Sequence, residues 1–335
     1  MRTTKENTSS VLPLDEYDHI IVSYSGGKDS LASLLDIIEK GADRSKLEIW
    51  HQDIDGGEDD DKLMDWPVTR AYVKATGEAL GIPVRFQYRE GGFQGEMLRK
   101  DSPTNDVAFE DGNGKLVKLE TKRAKNGTRM MFPQVSADLS VRWCSAYLKI
   151  DVAARAITND PRFKGKKILM LTGERRQEST ARSKYAEIEK HRTNTKSRRV
   201  DQWRNVIDWT EEEVWAIIER HRVRPHPAYT LGWGRVSCMA CIFGDRNQWA
   251  SVKKIAPDRF EKIANYEEQF GKTIKRGESV REQADQGQEF ISDKPARSRL
   301  QAMGAIDFTA DQFFLPDVEE WVMPSGAFQR CGGPT

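Results

Sequence analysis

The sequence predicts an α/β fold: a doubly wound, mostly parallel sheet followed by a helical C-terminal region. Three observations predict it. Short apolar runs of strand character alternate with runs of helical spacing through the first half of the chain. The first apolar run leads through a glycine-rich turn straight into a helix. Beyond Gly244 the pattern is helical, with no strand as clear as those before it.

Residues 19–24, His-Ile-Ile-Val-Ser-Tyr, read as a buried strand. Residues 30–39 form the helix that follows, with Leu31, Leu34, Leu35 and Ile38 on one face and Gly41 where a C-terminal cap is expected. A second strand spans residues 47–53, a second helix 68–80, and Gly81-Ile82-Pro83 turns into a third strand over 84–88. Such alternation implies right-handed βαβ crossovers. The pattern breaks over about 91–133, a stretch rich in Gly, Asp, Asn and Lys. It reads as a mobile surface insertion, with Asp111-Gly112-Asn113-Gly114 turning a hairpin between 107–109 and 116–119. A helix over about 145–157 and an apolar strand over 167–172 resume the order, and Thr210 with Glu213 forms a capping box opening a helix at Glu211. The expected division is a nucleotide-binding domain over 1–245, carrying the insertion, and a helical region over 246–335.

With 335 residues, 38% hydrophobic and 31% charged, the composition fits a globular chain with ample core. No run of about 18 apolar residues is present, the N-terminus lacks a secretory apolar stretch, and four cysteines make no disulfide framework. These features predict a cytoplasmic protein with no membrane association. A net charge of +1 argues against a dedicated nucleic-acid coat. One stretch, His191 to Arg199, nevertheless carries Arg192, Lys196, Arg198 and Arg199 with no acid. It reads either as a solvated loop or as a phosphate-facing patch.

The turn Ser25-Gly26-Gly27-Lys28-Asp29-Ser30, entered from Ser23 and Tyr24, has the residue types a phosphate cradle needs. Two glycines let backbone N–H groups approach phosphate oxygens, the helix N-terminus adds partial positive charge, and Lys28 adds a full one. Ser25 and Ser30 supply hydroxyls, and Asp29 is placed to cap the helix or help hold a metal ion. The spacing is not that of Walker A, in which four residues separate glycine from Gly-Lys.

This loop resembles the pyrophosphate-binding signature of the adenine-nucleotide alpha-hydrolase (PP-loop) superfamily, whose members act at the α-phosphorus of a nucleotide. Leu171-Thr172-Gly173-Glu174-Arg175-Arg176-Gln177-Glu178-Ser179, with Arg182 after it, resembles the Gly-x-Arg-x-x-Glu-Ser…Arg motif of the phosphoadenylyl-sulfate reductase branch. Trp209 to Ile218 is similar to that branch's Trp-x-x-x-Asp-Val-Trp helix, with Trp215 and Ile218 expected in the core. Pro225-His226-Pro227-Ala228-Tyr229 resembles its Asn-Pro-Leu-Tyr turn, with His226 in place of Asn. The resemblance covers roughly residues 18–245. It implies ATP with Mg²⁺ as ligand. Lys28, Asp29, Arg175, Arg176 and Arg182 are implied in the chemistry; Gly173, Glu174, Glu178 and Ser179 line the nucleotide; and Asp53 or Asp55 holds Mg²⁺ or the ribose.

Ser237-Cys238-Met239-Ala240-Cys241 and Arg142-Trp143-Cys144 add three thiols. Related reductases set a [4Fe–4S] cluster on a Cys-Cys pair plus a Cys-x-x-Cys. Here Trp143 replaces the first cysteine of that pair, so Cys331 would have to complete a set with Cys144, Cys238 and Cys241. Zinc, redox exchange or no metal at all are the alternatives. A reductase also carries a Glu-Cys-Gly-x-His tail, whereas this chain ends Gln-Arg-Cys331-Gly-Gly-Pro-Thr. The reshaped tail, the insertion, the basic stretch and residues 142–150 look closer to the ATP pyrophosphatase of bacterial DNA phosphorothioation, of Dnd or Ssp type. That resemblance implies DNA and a cysteine desulfurase among its partners, and a homodimer is compatible with it. Sulfonucleotide reduction, another thiolation, or a non-catalytic nucleotide-binding module are the other readings.

Overall fold

The computed structural model describes residues 11–58, 61–121 and 124–329. Its strands are β1 (His19–Ser23), β2 (Leu47–Asp53), β3 (Val84–Arg89), β4 (Val107–Glu110), β5 (Leu116–Leu119), β6 (Lys167–Thr172), β7 (Ile188–Lys190) and β8 (Arg199–Trp203). They form one sheet in the order β5-β4-β3-β2-β1-β6-β8-β7. The five central strands run parallel, and β4, β5 and β7 are antiparallel additions at the two edges.

Period-two alternation divides the strands between two cores. Ile20 and Val22 of β1, with Leu47 and Ile49 of β2, face α1 (Lys28–Glu39), α2 (Thr69–Leu80) and α6 (Glu211–Arg220). Ile21, Trp50, Ile168 and Met170 face Ala153, Ala156 and Ile157 of α5 (Asp151–Asn159) on the other side. Trp215 and Ile218 are fully buried, as expected; each such side chain contributes roughly 1.5–3 kcal/mol of apolar burial. The Thr210–Glu213 capping box opens α6, and Gly41 follows α1 at φ +79°, where only glycine is comfortable. Beyond Gly244 come α8 (Arg246–Ile255), α9 (Pro257–Phe270), α10 (Val280–Gln286) and α11 (Ala296–Ala302). No helix among the described residues is long and apolar enough to cross a membrane.

Three expectations are revised. The 91–133 segment, expected as a mobile surface insertion with a hairpin, is joined to the sheet by that hairpin. It contains α3 (Gly92–Met97), and its hairpin continues the sheet, with Val107, Ala108 and Phe109 buried and β4 paired to β3. The helix expected from residue 145 begins at α4 (Trp143–Ser145) and passes through a π-helical turn, Ala146–Ile150, before α5. β7 and β8 were not foreseen, because their polar residues lack apolar alternation. Asp201 of β8 is buried only because Tyr17 Oη, at 2.7 Å, and Arg199 Nε, at 2.7 Å, donate to it.

Candidate nucleotide site

β1 and β6 are neighbours, yet the chain leaves β1 towards β2 on one side and β6 towards β8 on the other. This is the topological switch point, where open α/β sheets bind ligands outside the strands' carboxyl ends. The two loops rich in candidate residues meet there. Gly26 adopts φ +77°, and Gly27 is the extended N-cap residue of α1. The turn is held from within: Ser25 N donates to Ser30 Oγ at 3.2 Å, Gly27 N to Ser25 Oγ at 3.4 Å, and Ser30 Oγ to Gly27 O at 2.8 Å. Lys28 N donates to Tyr229 Oη at 2.8 Å, which links α7 (Pro227–Thr230) to the start of α1.

Gly173, just after β6, lies against this turn. A Cβ there would stand 2.6 Å from Asp29 O and 2.7 Å from Asp29 C, closer than any real contact. Gly173→Ala is therefore expected to displace the first turn of α1. ATP affinity should fall at least tenfold by calorimetry while the circular dichroism spectrum is retained; unchanged affinity would show that the contact yields freely.

The loops are joined by alternating charges. Lys28 Nζ lies 3.2 Å from Asp29 Oδ2 and 3.7 Å from Glu211 Oε1, and Arg175 Nε lies 2.5 Å from Asp29 Oδ1. Lys28 is 6% and Arg175 3% exposed. Burial opposes the Lys28 charge, but Asp29, Tyr229 and Glu211 outweigh it and hold its pKa above the usual value. Burial likewise opposes the Asp29 carboxylate, and Lys28 and Arg175 hold it ionised. Glu178 accepts from Arg175 N at 2.8 Å and pairs with Arg182. Asp29 is thus a charge bridge rather than the helix cap.

Other expected residues take different places. Ser23 Oγ donates to Gln52 Oε1 at 3.3 Å, and Tyr24 Oη contacts Thr76 Oγ1 at 3.2 Å, so both brace the sheet below the cradle. Arg176 turns away to Asp208, at 2.5 Å, and the Tyr185 carbonyl. Glu174 faces Arg204 at 3.5 Å, and Ser179 Oγ accepts from Arg182 N at 3.2 Å. Asp53 at the end of β2 is held by Lys62 at 3.2 Å and Arg70 at 3.6 Å. Asp55 Oδ2 accepts from Met64 N and Asp65 N, while its Oδ1 is buried without a partner. Burial, then the neighbouring Asp53, push Asp55 up to about 6 against those two backbone bonds.

Cys238 and Cys241 share a hydrogen bond. It pushes Cys241 down to about 6 against its burial, with Arg235 assisting, and with burial it pushes Cys238 well above the usual thiol range. Cys144 feels the Cys241 charge and is raised by burial. Lys149, on the π-helical turn, acts on all three thiols. Cys144 and Cys238 both feel Cys241, so the three thiols act on one another. They do not make a ligand set: among the described residues no group of three His, Cys, Asp or Glu side chains could hold a metal ion. Cys331 lies outside the described residues. Among the described residues the donors do not make up the ligand set of a [4Fe–4S] cluster. In iodoacetamide labelling at pH 7, Cys241 should be alkylated before Cys238 and Cys144, with a rate rising through about pH 6; peptide mass spectrometry showing Cys238 first would reverse the assignment.

The basic stretch lies elsewhere. Arg199 pairs in register with Lys167, at the amino end of β6, whereas the cradle sits beyond its carboxyl end at Thr172. Five residues of strand make that separation about 16 Å. Arg198 is tied to the carbonyls of Ile157 and Thr193, and Arg199 to Asp201. The stretch is thus not a phosphate-facing patch of this site. Tyr229 and Glu211 instead meet Lys28, contacts that the resemblance of their segments did not foretell.

A family model for the phosphoadenosine phosphosulfate reductase domain matches residues 69–243, more than half of the chain. The chain belongs to this family. The match begins after the Ser25–Ser30 turn, so the family assignment and the cradle are separate observations that agree on the PP-loop superfamily. An uncharacterized 37.8 kDa protein in the gpa 5′ region of Escherichia phage 186 is 27% identical over 274 residues, 78% of each chain. An uncharacterized protein of Methanocaldococcus jannaschii is 26% identical over 133 residues, 39% of this chain and 30% of its own length. Family members are enzymes of the PP-loop superfamily, whose usual ligand is ATP with Mg²⁺.

Proposed function

We propose that this protein cleaves ATP to AMP and pyrophosphate, and that the cleavage activates a phosphate of the acceptor by adenylylation for sulfur incorporation in DNA phosphorothioate modification. The observation that carries the nucleotide chemistry is the cradle itself. A glycine turn, an α-helix N-terminus and the buried cations Lys28 and Arg175 converge at the switch point of the sheet. Pyrophosphate leaving from the α-phosphorus would be received by the α1 N-terminus and Lys28, while Arg175, its Nε and Nη1 engaged within the protein, offers its positive charge to the charge developing on the transferred group. Mg²⁺ arriving with ATP supplies charge neutralisation at the phosphates. Asp29 and Asp53 are already engaged by cations, so neither offers that ion a free carboxylate.

The acceptor assignment rests on sequence: residues 142–150 resemble the phosphorothioation group, and the Glu-Cys-Gly-x-His tail of the reductases is missing. Chromatography of the products tests the first step, and release of ADP would overturn it. The acceptor is tested by searching for phosphorothioate linkages in DNA from cells carrying the protein with its genomic neighbours. Family membership favours a second reading, sulfonucleotide reduction. Thioredoxin-dependent sulfite release abolished by Cys331→Ser, with no sulfur in DNA, would establish that reading instead.

A further inference from the structure

A cleft of about 650 Å³ opens between α5, the chain leaving β5 and the start of the basic stretch. Small-molecule sites have volumes of this order. Arg155 of α5 and Arg192 of the stretch both line it. The protein holds Arg155 poorly. Its Nη2 reaches the Leu119 and Glu120 carbonyls only at 3.4 and 3.5 Å, and its Nε is buried with no partner. Arg192 is exposed and makes no hydrogen bond or ion pair among the described residues. The two acids that line the cleft are taken: Asp151 accepts from the buried Arg89 at 2.7 Å, and Glu120 has a partner of its own. A buried N–H without an acceptor is unfavourable for the protein alone. It becomes favourable when an oxyanion accepts from both guanidinium forks.

One wall of the cleft is the π-helical turn. Ala146 and Tyr147 line it, and Asp151 N closes the turn by donating to Ala146 O. Such a turn inserts an extra residue into a helix and is found frequently at functional sites. The cleft is separate from the cradle. Arg155 meets the end of β5, and four strand spacings, about 19 Å, lie between β5 and β1. α5 also packs on the face of the sheet opposite α1.

We propose that Arg155 and Arg192 form a binding site for a small phosphate monoester, remote from the nucleotide cradle. Charge and volume together select this class. A phosphate monoester is close to dianionic at neutral pH and so matches two guanidinium charges. A bare oxyanion leaves most of the cleft empty, so the occupant carries an organic group, for which Ala146 and Tyr147 supply a wall. The basic stretch thus provides a phosphate ligand here, although it does not reach the cradle. The site does not depend on what the cradle cleaves.

The test uses the full chain and two probes, inorganic phosphate and ribose 5-phosphate, titrated by calorimetry at low salt with ribose as the uncharged control. Both probes are expected to bind, the ester more tightly, and ribose is not. Arg155→Gln and Arg192→Gln should each weaken ester binding about tenfold or more, and Arg155→Lys, which keeps the charge without the fork, should lose less. Lys28→Ala, in the cradle, should leave it within about twofold. Hydrogen exchange locates the ligand: the ester should slow exchange across Ala146–Ile150 in the natural protein and in Lys28→Ala, and not in Arg192→Gln. Circular dichroism without ligand checks folding, and the exposed Arg192 keeps the test decisive should Arg155→Gln unfold. Folded arginine variants that bind the ester like the natural protein overturn the proposal, as does a natural protein that binds neither probe. Loss of ester binding in Lys28→Ala overturns it too, because the ester then belongs to the cradle.

Discussion

Arg175→Ala is expected to lower the rate of AMP formation by ~10²–10³-fold while leaving the chain folded. Arg175 donates from Nε to Asp29 at 2.5 Å and from Nη1 to Gln177 Oε1 at 2.8 Å and the Trp209 carbonyl at 3.2 Å. It thereby fixes the loop after β6 against the start of α1 and delivers a dry positive charge to the place where phosphate charge develops. Breaking a buried ion pair costs about 3–5 kcal/mol when the partner is left alone. Asp29 retains Lys28 at 3.2 Å, and its side chain is 21% exposed, so the stability loss should sit at or below the low end. Arg175→Lys keeps the charge and loses the planar fork, and should recover part of the rate. Quenched-flow product analysis beside circular dichroism is the measurement. A near-normal rate in a folded Arg175→Ala protein would remove this residue from the chemistry.

Asp65→Asn is expected to stabilise the protein at pH 8 and to flatten the dependence of stability on pH. Burial, followed by the neighbouring Asp55 and Asp53 carboxylates, pushes Asp65 from 3.8 up to about 8. The folded chain therefore holds a proton on Asp65 between about pH 4 and 8 that the unfolded chain releases. The stability linked to it is fully present in acid and is lost as pH rises through that window. At ~1.4 kcal/mol for each tenfold change in proton affinity, the ceiling is about 6 kcal/mol, and we expect about half of it after local relaxation. Asparagine keeps the acceptor oxygen that receives Trp66 N at 2.7 Å and Thr69 Oγ1 at 3.1 Å. Denaturant melts at pH 5 and pH 8 should show a gain that is small at the lower pH and several-fold larger at the higher one. A loss at both would mean that the ionised carboxylate is needed.

The parts of the site legible in the sequence are those made by contiguous residues. The run from His19 to Ser30 carries its own strand, glycines and helix start, and it folds as those residue types dictate. The residues from Gly173 to Arg182 were legible as a charged loop after an apolar strand, although Arg176 points to Asp208 and away from the cradle. What could not be read comes from distant chain. Tyr229 reaches Lys28 N, and Glu211 reaches Lys28 Nζ, only because α6 and α7 pack against α1. The Arg192–Arg199 stretch shows why composition does not give location. From Thr172 the chain travels back to the amino end of the sheet before β8 begins, so its charges end at the far edge from the phosphates. β4 and β5 were recognised as a hairpin, but nothing local says that a hairpin will pair with β3.

That pairing bears on any attempt to trim the protein to a minimal domain. Excising 91–133 as though it were an ornament would bare the backbone donors and acceptors of β3 at Gln87, Tyr88 and Arg89, an unprotected edge of the kind that recruits strands from other molecules. It would also strip the fully buried Arg89 of its bond to the Asn105 carbonyl, leaving the Tyr147 carbonyl and Asp151 to hold that charge. A shortened version should therefore precipitate rather than simplify, and truncations are better placed elsewhere in the chain.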